Sequence, residues 1–195
     1  DKISKRFYMI NGWQTIGSRD SIPYHIANNG YPVILSNANN FYLDFMYSRH
    51  QEEPGHNWGG VVDEFASWEA QPLKVYRSAR YDISGKKNNL ATIENGKPAI
   101  VKKENIIGIQ GQLWAETIRG YHTVQYYTFP KIFGIVERGW NAVPAWGDDN
   151  EDSKLYLDQR TQYNAQIGLK ELPSLAKRGA NVRIGQPGII AKDGK

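Results

Sequence analysis

Apolar residues come in short, separated clusters along the chain. Arg6–Asn11 (RFYMIN), Pro32–Leu35 (PVIL) and Ile106–Leu113 (IIGIQGQL) are brief continuous apolar runs, the pattern of buried strands. Between and after them the spacing becomes helical. Asp20–Asn29 predicts a short helix, with Asp20 or Ser21 as cap, Pro23 in the first turn and Asn29-Gly30 at its end. Val61–Glu69 predicts a second, stopped before Pro72. Thr123–Trp140 predicts a third, with Val124, Tyr127, Ile132, Val136 and Trp140 as its stripe and a break at Pro130. Asn150–Leu172 predicts a fourth, with Leu155, Tyr156, Tyr163 and Ile167 on one side, closed by Pro173 and Gly179. Ala38 to about Gly60 reads as a long loop, Tyr81–Lys103 as a loop or irregular hairpin, and Asn181–Lys195 as an extended tail.

The order is strand–helix three times, then one more helix. Such alternation predicts an α/β fold with a parallel sheet under covering helices. The residues with the most chemistry follow directly after strands: Trp13, then Tyr42 and Asp44, then Trp114 and Glu116. In a (β/α)8 barrel those positions build the active site, but a whole barrel takes about 250 residues. A chain of 195 residues with about three βα units and a closing helix predicts the C-terminal portion of a TIM barrel.

Composition narrows the function. A net charge of +4, with basic residues scattered, does not make a nucleic-acid-binding face. No apolar run approaches the ~20 residues of a membrane helix. With no cysteine, disulfides, thiolate metal sites and thiol nucleophiles are excluded. The chain starts at Asp1 without Met, and no apolar leader follows, so processing or truncation is expected. The 6 Trp and 12 Tyr supply flat faces that stack on sugars, on bases or on each other in a core.

In both Trp114-Ala115-Glu116 and Tyr42-Leu43-Asp44, an aromatic residue and a carboxylate stand two apart, hence on one side of an extended chain. A sugar needs that pairing: a platform for its C–H face and an anion for its hydroxyls. The plainer reading is a core Trp and a helix-start Glu in one, a surface Tyr and an Asx-turn Asp in the other. His25, His50, His56 and His122 fit no zinc spacing, so no metal and no cofactor is expected. Asp148, Asp149, Glu151 and Asp152 read as the acidic first turn of the helix that follows. Phosphate-binding glycine loops and serine elbows are missing.

Four motifs, in order, resemble the family 20 glycoside hydrolases, the β-N-acetylhexosaminidases. They are Val33–Ser36 with Tyr42-Leu43-Asp44 and Trp58-Gly59-Gly60; Ile107–Glu116; Phe129-Pro130-Lys131-Ile132 through Val136-Glu137-Arg138-Gly139-Trp140; and Asn181–Ile184 with Pro187-Gly188. The family commonly has Arg at the place of Lys131, and prolines where Gly185-Gln186 stand. The resemblance implies substrate-assisted retaining hydrolysis of terminal N-acetyl-β-D-hexosamine residues, the substrate's acetamido oxygen attacking the anomeric carbon. It implies that Tyr42 positions that oxygen, that Trp114 and Trp13 wall the acetamido group, that Asp44 and Glu116 accept the 4- and 6-hydroxyls, and that Trp58 stacks on the leaving group.

The family's Asp-Glu general acid pair has no match here: Asp63-Glu64 falls in a helical stretch and Glu151-Asp152 is reversed. Residues 1–189 are therefore expected to be the C-terminal part of the catalytic barrel and 190–195 a tail leading out of it. The expected partners are N-acetylglucosamine or N-acetylgalactosamine glycosides and the remainder of the same polypeptide, with no nucleic acid and no membrane span. This chain alone is expected to be inactive, and the whole to be a periplasmic or extracellular bacterial enzyme. A non-catalytic carbohydrate-binding protein, or another barrel glycosidase using Asp44 and Glu116 as its carboxylate pair, are the alternatives.

Overall fold

The computed structural model describes residues 10–12 and 21–184. Trp13, most of the first predicted strand and the tail from residue 185 lie outside the described residues.

Three strands, β1 (Ile10–Gly12), β2 (Val33–Leu35) and β3 (Ile106–Ile109), form one parallel sheet in the order β1-β2-β3. Val33 pairs with both Ile10 and Ile106, and a bulge after Val33 shifts the register so that Ile34 faces Gly108. Beyond β3 the ladder continues as separate bonds. Gln110 N–H donates to Leu35 O (2.9 Å), Gln112 N–H to Phe41 O (2.9 Å) and Leu43 N–H to Gln112 O (2.7 Å). This stitching carries the segment after β2 alongside the segment after β3.

The predicted loop at Ala38–Gly60 opens with a helical turn, α2 (Ala38–Phe41), and its first part, Ala38–Tyr47, is largely buried. Two of its asparagines turn inward onto backbone partners: Asn40 Nδ2 donates to Ala66 O (2.6 Å) and Asn39 Nδ2 to Gly59 O (2.8 Å).

On one side of the sheet lies α1 (Ile22–Asn28), with Pro23 in its first turn and the chain leaving through Gly30 at φ 90°. Tyr24 and Ala27 pack there on Val33, Leu35 and Tyr76. Two caps set the next helices. The Asp63 carboxylate accepts Phe65 N–H and Ala66 N–H at the start of α3 (Glu64–Trp68), and Asn89 accepts Thr92 N–H at the start of α4 (Leu90–Glu94). That helix falls in the predicted Tyr81–Lys103 loop, whose hairpin character survives as an antiparallel bridge between Tyr81 and Lys87.

The third predicted helix is two: α5 (Tyr121–Thr128) and α6 (Lys131–Trp140), separated at Pro130, which has no N–H to give. The restart changes the buried stripe of α6. Its inward face is Lys131, Gly134, Ile135 and Arg138 at helical spacing, whereas the expected Val136 and Trp140 point to solvent, Trp140 being 90% exposed. Gly134 makes the contact possible: a Cβ there would lie 2.5 Å from Trp68 N and 2.8 Å from Ser67 Cβ, so α6 rests directly on α3.

The last predicted helix starts late and runs long. Ser153 caps α7 (Lys154–Gln166) by accepting Tyr156 N–H; a π turn at Ile167–Glu171 leads into α8 (Leu172–Lys177). Pro173 does not close the helix; it sits in the first turn of α8. The acidic cluster is likewise not a helix first turn. It lies before α7, with Asp148 paired to Lys74 (2.5 Å), Glu151 to Lys87 (2.9 Å) and Asp149 accepting from the Ser153 hydroxyl. Trp68, Trp146 and Tyr156 form a further aromatic core beneath these helices, with Trp68 and Trp146 ring centres 4.5 Å apart.

Candidate functional site

A cavity of about 410 Å³ opens beyond the C-terminal ends of β2 and β3, lined by Tyr42, Asp44, His56, Trp58, Gln112, Trp114 and Glu116. Five of the six expected site residues therefore meet in one place; the sixth, Trp13, lies outside the described residues.

Tyr42 and Asp44 come from the buried segment that follows α2. Tyr42 is bridged to Gln112 in the extended ladder, which fixes its backbone beside the segment that follows β3. Its ring is the hub of an aromatic group, edge-on to Trp58 and Trp114 with centroids 6.0 Å away in each case, and to Phe45 at 5.5 Å. Trp58 and Trp114 are about half exposed, so each presents a free face to the cavity. Burial pushes the Tyr42 hydroxyl above its ordinary range, which keeps it a neutral donor at every physiological pH.

Asp44 is 1% exposed, and neither carboxylate oxygen has a hydrogen-bond partner. A buried anion so weakly hydrogen-bonded is costly. Burial accordingly raises its pKa, against the pull of the nearby Asp44 and Trp114 backbone N–H groups, of His56 and of Lys131. Its backbone, in contrast, is fixed. His56 N–H donates to Asp44 O (2.9 Å), and a Cβ on Gly55 would fall 2.7 Å from that same oxygen. Gly55 has φ 123°, so both its dihedral and this close approach favour glycine.

Glu116 is exposed and reaches the cavity from the other side, its Oε2 3.9 Å from His56 Nε2. Asp44, His56 and Glu116 thus bring three ligand-type atoms within 4.8 Å of one another. No spacing in the sequence announces this convergence, because it is made by two different post-strand segments. His56 and Gln112 are the lining residues that sequence reasoning missed; their only sequence signal is position, next to Trp58 and Trp114.

A second cavity of about 430 Å³ lies beside α3 and α7, with Arg80, Glu69, Glu151 and Tyr156 in its wall. Arg80 lies over the Tyr156 ring (4.7 Å), the Tyr156 hydroxyl donates to Glu69, and burial raises Glu69 from 4.5 to about 7. This is a buried polar network between helices, in which Arg80 Nε and Nη2 have no hydrogen-bond partner.

The family model "Glycosyl hydrolase family 20, catalytic domain" matches residues 2–143. Among curated relatives, the chain is 28% identical over 201 residues to an N,N'-diacetylchitobiase of Vibrio harveyi, covering 95% of this chain and 22% of that protein. It is 27% identical over 190 residues to a beta-hexosaminidase of Vibrio vulnificus, covering 86% of this chain and again 22% of the relative. This chain therefore spans less than a quarter of their length.

Solved structures agree. A Streptomyces plicatus beta-hexosaminidase in complex with GlcNAc superposes with a TM-score of 0.61 at 22% identity, covering 91% of this chain and 29% of that one. An exo beta-N-acetylglucosaminidase of Vibrio harveyi superposes with a TM-score of 0.57 at 26% identity, covering 94% and 23%. The three parallel strands and their helices are thus part of a TIM barrel. By the match over most of its length, the chain belongs to glycosyl hydrolase family 20, as part of the family's catalytic domain.

Proposed function

We propose that this chain supplies one side of the sugar-binding pocket of a β-N-acetylhexosaminidase acting on terminal N-acetyl-β-D-hexosamine residues. One observation carries the reading: in a family 20 catalytic domain, a neutral phenol, two carboxylates and two half-exposed indoles converge on a single cavity at the C-terminal ends of parallel strands.

Each group has a task that its environment suits. Trp58 and Trp114 offer apolar faces to the C–H faces of a pyranose. Asp44, buried with both oxygens still open to a hydrogen bond, accepts from sugar hydroxyls, which make up for part of the anion's lost hydration. Glu116 accepts the neighbouring hydroxyl. Tyr42, kept protonated by burial, donates to the acetamido carbonyl oxygen and holds it below the anomeric carbon. The nucleophile is then part of the substrate, and its attack is accelerated by orientation. The proton for the leaving group comes from a carboxylic acid that we place in the remainder of the polypeptide, on the barrel strands that close this sheet.

The full polypeptide, assayed on a pair of aryl β-glycosides that differ only at C2, tests this. The 2-acetamido sugar is expected to turn over and the 2-hydroxy sugar to be at least 10²-fold slower in kcat/KM, because only the former carries its own nucleophile. Equal rates on both would point to a carboxylate nucleophile such as Asp44 or Glu116. Binding of the acetamido sugar without turnover would point to a carbohydrate-binding role.

A further inference from the structure

Lys131 is the first residue of α6 and is fully buried. Its ammonium donates to Leu43 O (2.7 Å) and to Phe45 O, the two carbonyls that flank Asp44, and it lies 3.8 Å from the centre of the Tyr47 ring. The intervening Asp44 carbonyl faces the other way and is taken by His56 N–H. The segment that presents Tyr42 and Asp44 is therefore gripped on both edges, by a side chain from α6 and by the backbone at Gly55-His56. A buried lysine is among the costliest ways to satisfy two carbonyls, and a neutral donor would serve if packing alone were at stake.

We propose that Lys131 is a positioning residue of the sugar site: it fixes the Tyr42–Asp44 backbone and places a positive charge behind the Asp44 carboxylate. This rests on the reading of Asp44 as the hydroxyl acceptor. The charge at Asp44 is set from several sides: Lys131 from α6, His56 and Glu116 across the cavity, and the Tyr42 phenol. Lys131 in turn faces Asp63, Asp44, Glu53 and Arg183, with the rings of Tyr47 and Tyr127 against it. Burial pushes its own ammonium down to about 7, so its charge is present in acid and is lost as pH rises through that value.

Three variants of the full polypeptide separate the two parts of the role. Lys131→Met removes clamp and charge: KM for an aryl N-acetyl-β-D-glucosaminide is expected to rise about ten-fold or more, kcat to change less, and the acid limb of the KM profile to move up by about one pH unit. Lys131→Gln keeps N–H donors without charge, and is expected to recover most of KM while the acid limb stays raised. Lys131→Arg keeps both and is expected to restore both. If Lys131→Met does not fold, the Gln and Arg variants carry the test.

Native KM and an unmoved acid limb in a folded Met or Gln variant would overturn the proposal. A native polypeptide that does not act on the sugar overturns the sugar reading instead. The clamp is then read by amide hydrogen exchange, with Leu43 and Met46 expected to exchange at least ten-fold faster in the folded variant that lacks the donors. Unchanged exchange at both amides would overturn the clamp.

Discussion

Replacing Asp44 by Asn should move stability and sugar recognition in opposite directions. In the free protein the Asp44 carboxylate is buried, and both its oxygens lack a hydrogen-bond partner. An unsatisfied buried polar group costs about 1–3 kcal/mol, more if charged. Asn keeps the shape and removes the charge, so the free variant is expected to be about 1 kcal/mol more stable at neutral pH. The sign with pH follows from burial raising the folded-state pKa of Asp44. A raised carboxyl contributes stability below its unfolded pKa and loses it as pH climbs through the folded value. The advantage of Asn should therefore be present at pH 7 and vanish near pH 3.

Recognition behaves the other way. A hydrogen bond to a charged acceptor is worth about 1.5–3 kcal/mol, so its loss should lower kcat/KM, or sugar affinity, by about 10- to 150-fold. Denaturant melts at pH 3 and pH 7 give the first quantity, and initial rates or sugar titration the second. A variant that is destabilised at pH 7 and retains native kcat/KM would refute the reasoning, because Asp44 would then be a structural carboxylate with partners.

Two further changes probe the scaffold. Glu69→Gln should gain stability relative to the native chain as pH rises from about 5 to about 8. Burial raises Glu69 from 4.5 to about 7, so the native protein loses on the order of 3 kcal/mol over that window; parallel stability profiles would contradict this. The two glycines of α6 should respond oppositely to Ala. At Gly134 the new methyl meets the α3 backbone at 2.5 Å and should cost about 1–3 kcal/mol; at Gly139 nothing lies within 4 Å, and the gain in helix propensity should add up to about 1 kcal/mol in thermal melts.

What the sequence discloses here follows from the kind of signal involved. The strands at Val33–Leu35 and Ile106–Ile109 are legible as short continuous apolar runs, although Ile107 is half-exposed, and the residues after them then fall at the cavity. The inner face of α6 is not legible. Its stripe holds Lys131 and Arg138, whose burial depends on carbonyls and aromatic rings supplied by other elements, so a search for apolar periodicity selects the solvent face instead. Pro173 misleads for a related reason. A proline stops a helix only where an amide hydrogen is needed at its position, and Pro173 stands in the first turn of α8. His56 is invisible because its neighbour Glu116 comes from another strand end.

The most direct test is a crystal structure of the full polypeptide with N-acetylglucosamine bound. The sugar is expected in the cavity between Trp58 and Trp114, its acetamido carbonyl on the Tyr42 hydroxyl and two sugar hydroxyls on Asp44 and Glu116. A sugar seated elsewhere on the barrel, with Asp44 still unpartnered, would contradict it.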